Sequence, residues 1–155
     1  MTTPRESLAD RPLSALLAIA GRIVGRQWSA VVSAQDGLSP TGASTLAVLY
    51  RARRGGGLTQ ARVAEYLFVT PATLSGVVDT LVRAGYVERQ RDPADRRAAR
   101  LALTDAGAAR AGDIARDLRA ALPPAVPVDP VREAIIRDYL IDVITRGGAG
   151  DGAGC

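Results

Sequence analysis

The stretch LTQARVAEYLFVTPATLSGVVDTLVRAGYVERQ, residues 58–90, constrains the fold more than any other, because its apolar period changes partway along. Up to Arg83 the apolar residues recur at helical steps, and after Gly85 they alternate. Thr59 is suited to cap a short helix with an inner face of Val63, Ala64 and Leu67, since its hydroxyl can accept from an unpaired first-turn amide. A turn of three or four residues follows, and Thr70 with Pro71 opens a second helix in the same way. Leu74, Val77, Val78 and Leu81 lie at i, i+3, i+4 and i+7, which places them on one stripe. Gly85 ends that helix. Two helices of about two and four turns joined so tightly make a helix-turn-helix. Tyr86–Arg89 and Arg100–Leu103 then read as short strands around a polar loop holding Asp92, Pro93 and Asp95. Strand, loop and strand directly after a helix-turn-helix predict a β-wing.

The flanks are helical. Leu13, Leu16, Leu17, Ala20, Val24, Trp28 and Val31 recur at three- and four-residue steps, predicting an amphipathic helix over about 10–34. Ser39 and Pro40 open a helix that runs to about Arg53 and stops at Gly55–Gly57. Thr104 caps a further helix that PPAVP at 123–127 ends. A last helix, about 129–146, carries Val131, Ile135, Tyr139, Val143 and Ile144, with Ile136, Leu140 and Ile141 on an adjacent face. That is more apolar surface than one small domain needs to cover.

Composition narrows the function classes. A chain of 155 residues has the length of one domain. All 20 basic residues are Arg, and Lys, His and Asn are absent, a bias that suggests a GC-rich bacterial genome. Arginine number alone therefore says little, and the net charge of +4 is modest, so attraction to a polyanion has to come from local clustering. The one cysteine, Cys155, allows no intrachain disulfide, in keeping with a cytoplasmic location. The apolar run Leu13–Gly21 is shorter than the roughly 20 residues a membrane span needs, and its helical period continues beyond it. With no His, no nucleophile elbow, no phosphate loop and no metal-ligand cluster, no catalytic residue, cofactor or metal is expected. Asp92 and Asp95 sit among arginines, which favours ion pairs over proton transfer.

The order of these motifs resembles the MarR family of bacterial winged-helix regulators. The matching residues are LSP at 38–40, LTQARVAEYL at 58–67 and VTPATLSGVVDTLVRAGYVER at 69–89, then Asp95-x-Arg97 followed by Leu103-Thr104 and Gly107. The resemblance extends over roughly 10–146. It implies a mainly α fold with a small β-wing, in which a winged helix-turn-helix domain at 37–103 joins dimerisation helices at 1–36 and 104–146. The tail at 147–155 is expected to be disordered. It also implies a homodimer whose terminal helices interlock, and binding to pseudo-palindromic double-stranded DNA. Each recognition helix would enter a major groove and each wing a flanking minor groove.

Under that resemblance the recognition helix presents Thr70, Ala72, Thr73, Ser75, Gly76, Thr80 and Arg83 outward. Hydroxyls can bond phosphates or base edges, and Ala or a Thr methyl can meet a thymine methyl. Many family members carry Arg near the position of Gly76, so this helix is expected to rely less on direct base readout. The wing offers Arg89, Arg91, Arg96, Arg97 and Arg100, with Asp95 and Asp79 as orienting partners and Asp79 expected to pair with Arg97. Taken alone, the same charges read equally as a solvated hairpin tip balanced by its aspartates. The family also implies a small, often aromatic, effector; Trp28, Val31, Tyr50 and Tyr66 are candidate pocket residues, and each reads as well as plain core or interface. Two functions follow: a repressor released from its operator by a ligand, or an effector-independent adaptor or architectural DNA-binding protein with little sequence preference.

Overall fold

The computed structural model describes residues 4–91, 99–121 and 128–148. Two compact units emerge, 1–122 and 123–155. The first contains helices α1 (Pro4–Ala9), α2 (Leu13–Asp36) and α3 (Pro40–Ala52), a 3₁₀ turn at Arg53–Gly55, then β1 (Leu58–Thr59), α4 (Gln60–Leu67) and α5 (Pro71–Arg83). It closes with β2 (Val87–Arg91), β3 (Ala99–Leu103) and α6 (Asp105–Ala121). The second unit holds α7 (Pro130–Gly148). The fold is mainly α with a small antiparallel sheet in the order β1-β3-β2.

Four helices start where a hydroxyl can replace the missing backbone acceptor. Ser39 accepts from the Gly42 amide at 3.1 Å, Thr70 from Thr73 at 3.2 Å, Thr59 from Arg62 at 3.4 Å and Thr104 from Gly107 at 3.0 Å. Three residues separate α4 from α5; the turn closes because Phe68 takes a left-handed conformation (φ 52°) and its amide bonds back into α4. The stripes foreseen on these helices meet in one core. Val63 and Ala64 of α4 and Leu74, Val78 and Leu81 of α5 pack with Leu46 and Leu49 of α3, Leu101 of β3 and Ile114 of α6.

The register of the wing pairs Val87 with Leu103, Arg89 with Leu101 and Arg91 with Ala99. Val87 and Leu101 are buried, and the strands lose their apolar character toward the wing tip. Strand β1 has no counterpart among the elements expected from the sequence. Its two residues pair Leu58 with Leu101 and Thr59 with Arg100, a segment too short to show any alternation. Gly57 makes that pairing possible: it adopts φ 83°, and a Cβ there would run into the Leu101 carbonyl.

Several boundaries differ from expectation, β2 (Val87–Arg91) among them. Helix α2 reaches Asp36, where Gly37 (φ 68°) ends it. No member of its expected stripe is fully buried: the enclosed residue is Val32, next to the stripe, whereas Leu13 and Val24 are 53% and 49% exposed. Most of the helix thus runs past its own domain's core. Helix α7 continues through Gly147 and Gly148, residues assigned above to the tail; a terminal glycine costs a helix about 1 kcal/mol and does not by itself unwind it.

The turn after α5 joins the most parts. Gly85 (φ 75°) ends the helix, and the Tyr86 amide donates back to the Leu81 carbonyl at 3.0 Å. Thr104 then donates its amide to the Tyr86 carbonyl (3.1 Å) and its hydroxyl to the Gly85 carbonyl (2.6 Å). Gly107 lies so close that a Cβ would collide with the Tyr86 carbonyl oxygen. Gly107→Ala should therefore cost about 2–4 kcal/mol. At Gly76 a Cβ meets nothing within 4 Å, so Gly76→Ala should be neutral or stabilising by about 1 kcal/mol. Denaturant unfolding of the two variants checks both.

Candidate nucleic-acid interface

Helix α5 and the wing strand β2 form the candidate surface. Thr70, Ala72, Thr73, Gly76, Asp79, Thr80 and Arg83 are exposed on α5, while Ser75 is half-buried. The hydroxyls are already engaged locally. Thr70 and Thr73 share a hydrogen bond at 2.9 Å, and Thr80 donates to the Gly76 carbonyl at 3.0 Å. Arg83 lies back along its own helix, donating to the Thr80 hydroxyl at 3.2 Å and the Asp79 carbonyl at 3.4 Å. Each hydroxyl keeps acceptor capacity. The outward face is consequently low in relief, with small groups and bare backbone around Gly76.

The wing is tied to this helix by charge. Arg89 of β2 donates to the Asp79 carboxylate at 2.7 Å. Arg91 lies two residues on, on the same face of the strand, and is exposed. The expected partner of Asp79 was Arg97; among the described residues its partner is Arg89, and Arg97 lies outside them. Asp95 and Arg96 likewise lie outside the described residues. Arg100 turns toward the 3₁₀ turn and β1, where it donates to the carbonyls of Gly55 and Gly57 at 3.4 Å and 3.3 Å. It braces the base of the wing.

The four candidate pocket residues do not line one cavity. Trp28 borders an open hollow of about 1020 Å³ with Val24, Pro40 and Ser44, and its buried Nε1 has no hydrogen-bond partner among the described residues. Tyr66 is 54% exposed and borders a separate cleft of about 290 Å³ with Val48, Arg51 and Leu58. The Tyr50 ring packs against the core under the Arg53 guanidinium, 3.7 Å from the ring centre. Val31 is half-buried on α2.

One cluster was not foreseen from the sequence. Arg110 of α6 is 7% exposed and grips both carboxylate oxygens of Asp36, at 2.9 Å and 3.0 Å, and the Val32 carbonyl at 3.2 Å. The Tyr86 hydroxyl donates to the same carboxylate at 2.9 Å. These bonds, that from Arg110 foremost, hold the Asp36 carboxyl down to about 2, and the Asp36 bond in turn raises the Tyr86 phenol above its usual range. A signal was present: Gly107, Arg110, Ala111 and Ile114 form the buried stripe of α6, and one of its four members is charged. A buried cation needs a partner.

Among the described residues no group of acidic, His or Cys side chains could hold a metal, and no helix is long and apolar enough to cross a membrane.

Residues 36–98, from the end of α2 to the wing, match the sequence profile of the MarR family. Over these residues the chain is similar to the MarR family. Proteins of the family are transcription regulators rather than enzymes. Solved MarR-family structures superpose over most of the chain. Wild-type MarR from E. coli in its apo form is 22% identical, covers 86% of this chain and 97% of its own, and gives a TM-score of 0.66. The MepR–DNA complex from S. aureus is 20% identical, covers 88% and 99%, and gives 0.73. CouR from Rhodococcus jostii RHA1, bound to p-coumaroyl-CoA, is 26% identical, covers 88% and 93%, and also gives 0.73. No curated protein matches the chain by sequence.

The Asp79–Arg89 pair is solvent-exposed, with 56% and 40% of the two side chains accessible. Such pairs stabilise little because water screens them. A double-mutant cycle with Asp79→Ala and Arg89→Ala should give a folding coupling below about 1 kcal/mol. The pair aligns the wing rather than holding the fold together.

Proposed function

We propose that the protein is a homodimeric, sequence-specific DNA-binding repressor acting in the cytoplasm on a pseudo-palindromic operator. The observation that carries this reading is the tie between Arg89 and Asp79. It sets an arginine-bearing strand beside a helix whose outward face holds small groups, Arg83 and the Asp79 carboxylate that Arg89 engages. Such a helix can approach the base edges closely, while the arginines meet the phosphates. The MepR structure that superposes on this chain is a DNA complex. Thr70, Ala72, Thr73, Ser75, Gly76 and Thr80 then lie toward the major groove, with Arg83, Arg89 and Arg91 along the backbone. Arg96 and Arg97, outside the described residues, are the remaining wing arginines we assign to DNA, since an arginine suits the focused potential of a narrow minor groove.

Dimerisation is supported by apolar surface. On α7, Val131, Ile135, Ile136, Tyr139, Leu140, Ile141, Val143 and Ile144 are all between 38% and 72% exposed, and Leu13, Ile23 and Val24 of α2 are similarly open. A second copy would bury both sets. The double variant Ile135→Asp/Ile144→Asp should shift the protein toward monomer in sedimentation velocity and abolish tight DNA binding; an unaltered sedimentation coefficient would exclude α7 from the interface.

An effector is supported by the open hollow that Trp28 borders with Val24 and Pro40. The superposing CouR structure holds p-coumaroyl-CoA. A small aromatic molecule there would release the repressor by favouring a dimer with different helix spacing.

The sparse readers on α5 favour the second reading, an adaptor or architectural protein with little sequence preference. Competition by unrelated DNA at physiological salt separates the two. A specificity ratio of about a thousandfold or more marks the repressor, and a ratio near one marks the adaptor. On either reading, Arg91→Ala should weaken binding and reduce the slope of log affinity against log salt by about one unit, as should Arg97→Ala. Unchanged slopes would remove the wing from the interface.

A further inference from the structure

We propose that Asp36, Tyr86 and Arg110 form a latch that sets the angle of the recognition helix α5 against the helical layer of α2 and α6. The inference rests on the reading of α5 as the DNA-contacting helix. Asp36 and Arg110 belong to that layer and lie 74 residues apart in sequence. Arg110 also donates to the Val32 carbonyl, so the pair is anchored to α2 at two points. Tyr86 belongs to the turn between α5 and β2, and its hydroxyl spans to Asp36 Oδ2 at 2.9 Å.

Packing explains why one hydroxyl matters. A cavity of about 410 Å³ lies beside the latch, bordered by Asp36 and Tyr86 and by Thr73, Val77 and Thr80 of α5. On that side α5 borders an open cleft, while Leu74, Val78 and Leu81 hold its inner face in the core. The cleft offers few partner atoms, so the polar bond at the end of the helix adds a restraint on the side where packing is thin. The turn's bonds to Thr104 fix where α5 ends, and the Tyr86 hydroxyl fixes how it is tilted. Both carboxylate oxygens of Asp36 are occupied by Arg110, and Oδ2 carries Tyr86 as well, so a shift of α2 against α6 is felt at the recognition helix. Tyr86 is a positioning residue.

The test is Tyr86→Phe, which removes the hydroxyl and keeps the ring. On a Cys155→Ser background, spin labels at Glu88→Cys and Arg119→Cys, diluted with unlabelled chain and without DNA, report the distance between the winged body and α6. The latch predicts a single narrow distance while Tyr86 is present and a broadened or displaced one in the Tyr86→Phe variant, with the far-ultraviolet circular dichroism the same in both. Affinity for a duplex recovered by selection from a randomised library should fall roughly 3- to 10-fold, as loss of one hydrogen bond implies, with the salt slope unchanged because no phosphate contact is removed. Asp36→Asn should broaden the distance in the same way. An unchanged distance distribution in both variants overturns the latch. Broadening in a protein that binds no duplex at all would leave the latch standing and overturn the DNA-binding reading instead.

Discussion

The fold depends on the two-residue turn Gly85–Tyr86. It is where α5 must end, the wing must begin, and α6 must return to the same place. Gly85 supplies the left-handed step; the carbonyls of both residues accept from Thr104, and Gly107 lets α6 approach because it has no side chain. The Leu103-Thr104-x-x-Gly107 spacing is thus a geometric requirement: an inward strand residue, a cap that bonds the turn, and a gap for the turn's carbonyl. Each of the three helps to hold the end of α5 against the start of α6.

From that joint the surface chemistry follows. Helix α5 presents hydroxyls, a glycine and a carboxylate that is already committed to Arg89. In a chain whose only cation is arginine, position decides what each one does. Arg110 is buried and structural, Arg100 braces the base of the wing, Arg83 lies along its helix, and Arg89 and Arg91 are left along the edge beside α5. Net charge would not have separated them.

Much of this was legible in the sequence because it rests on local rules. The caps at Ser39, Thr59, Thr70 and Thr104 and the stripe Leu74–Val78–Leu81 are read from spacing alone, and the core follows from them. What could not be read depends on contacts between distant segments. Strand β1 is defined by its partner in β3, not by any period of its own. The burial of Val32 rather than Val24 depends on where α2 crosses the core. Asp79 has candidate cations at several places in the sequence, and only the register of β2 brings Arg89 to it. The Asp36–Tyr86–Arg110 cluster joins three segments across gaps of 50 and 74 residues, although a charged residue on the buried stripe of α6 was its trace.

If α5 and the wing read DNA as a two-fold pair, the operator must carry the same symmetry. Selection of bound duplexes from a fully randomised library, followed by sequencing, reads that symmetry directly. A two-fold reader should enrich a pseudo-palindrome whose half-site centres lie about 10 base pairs, or a multiple of that, apart. Recovered sequences no different from the input would contradict it.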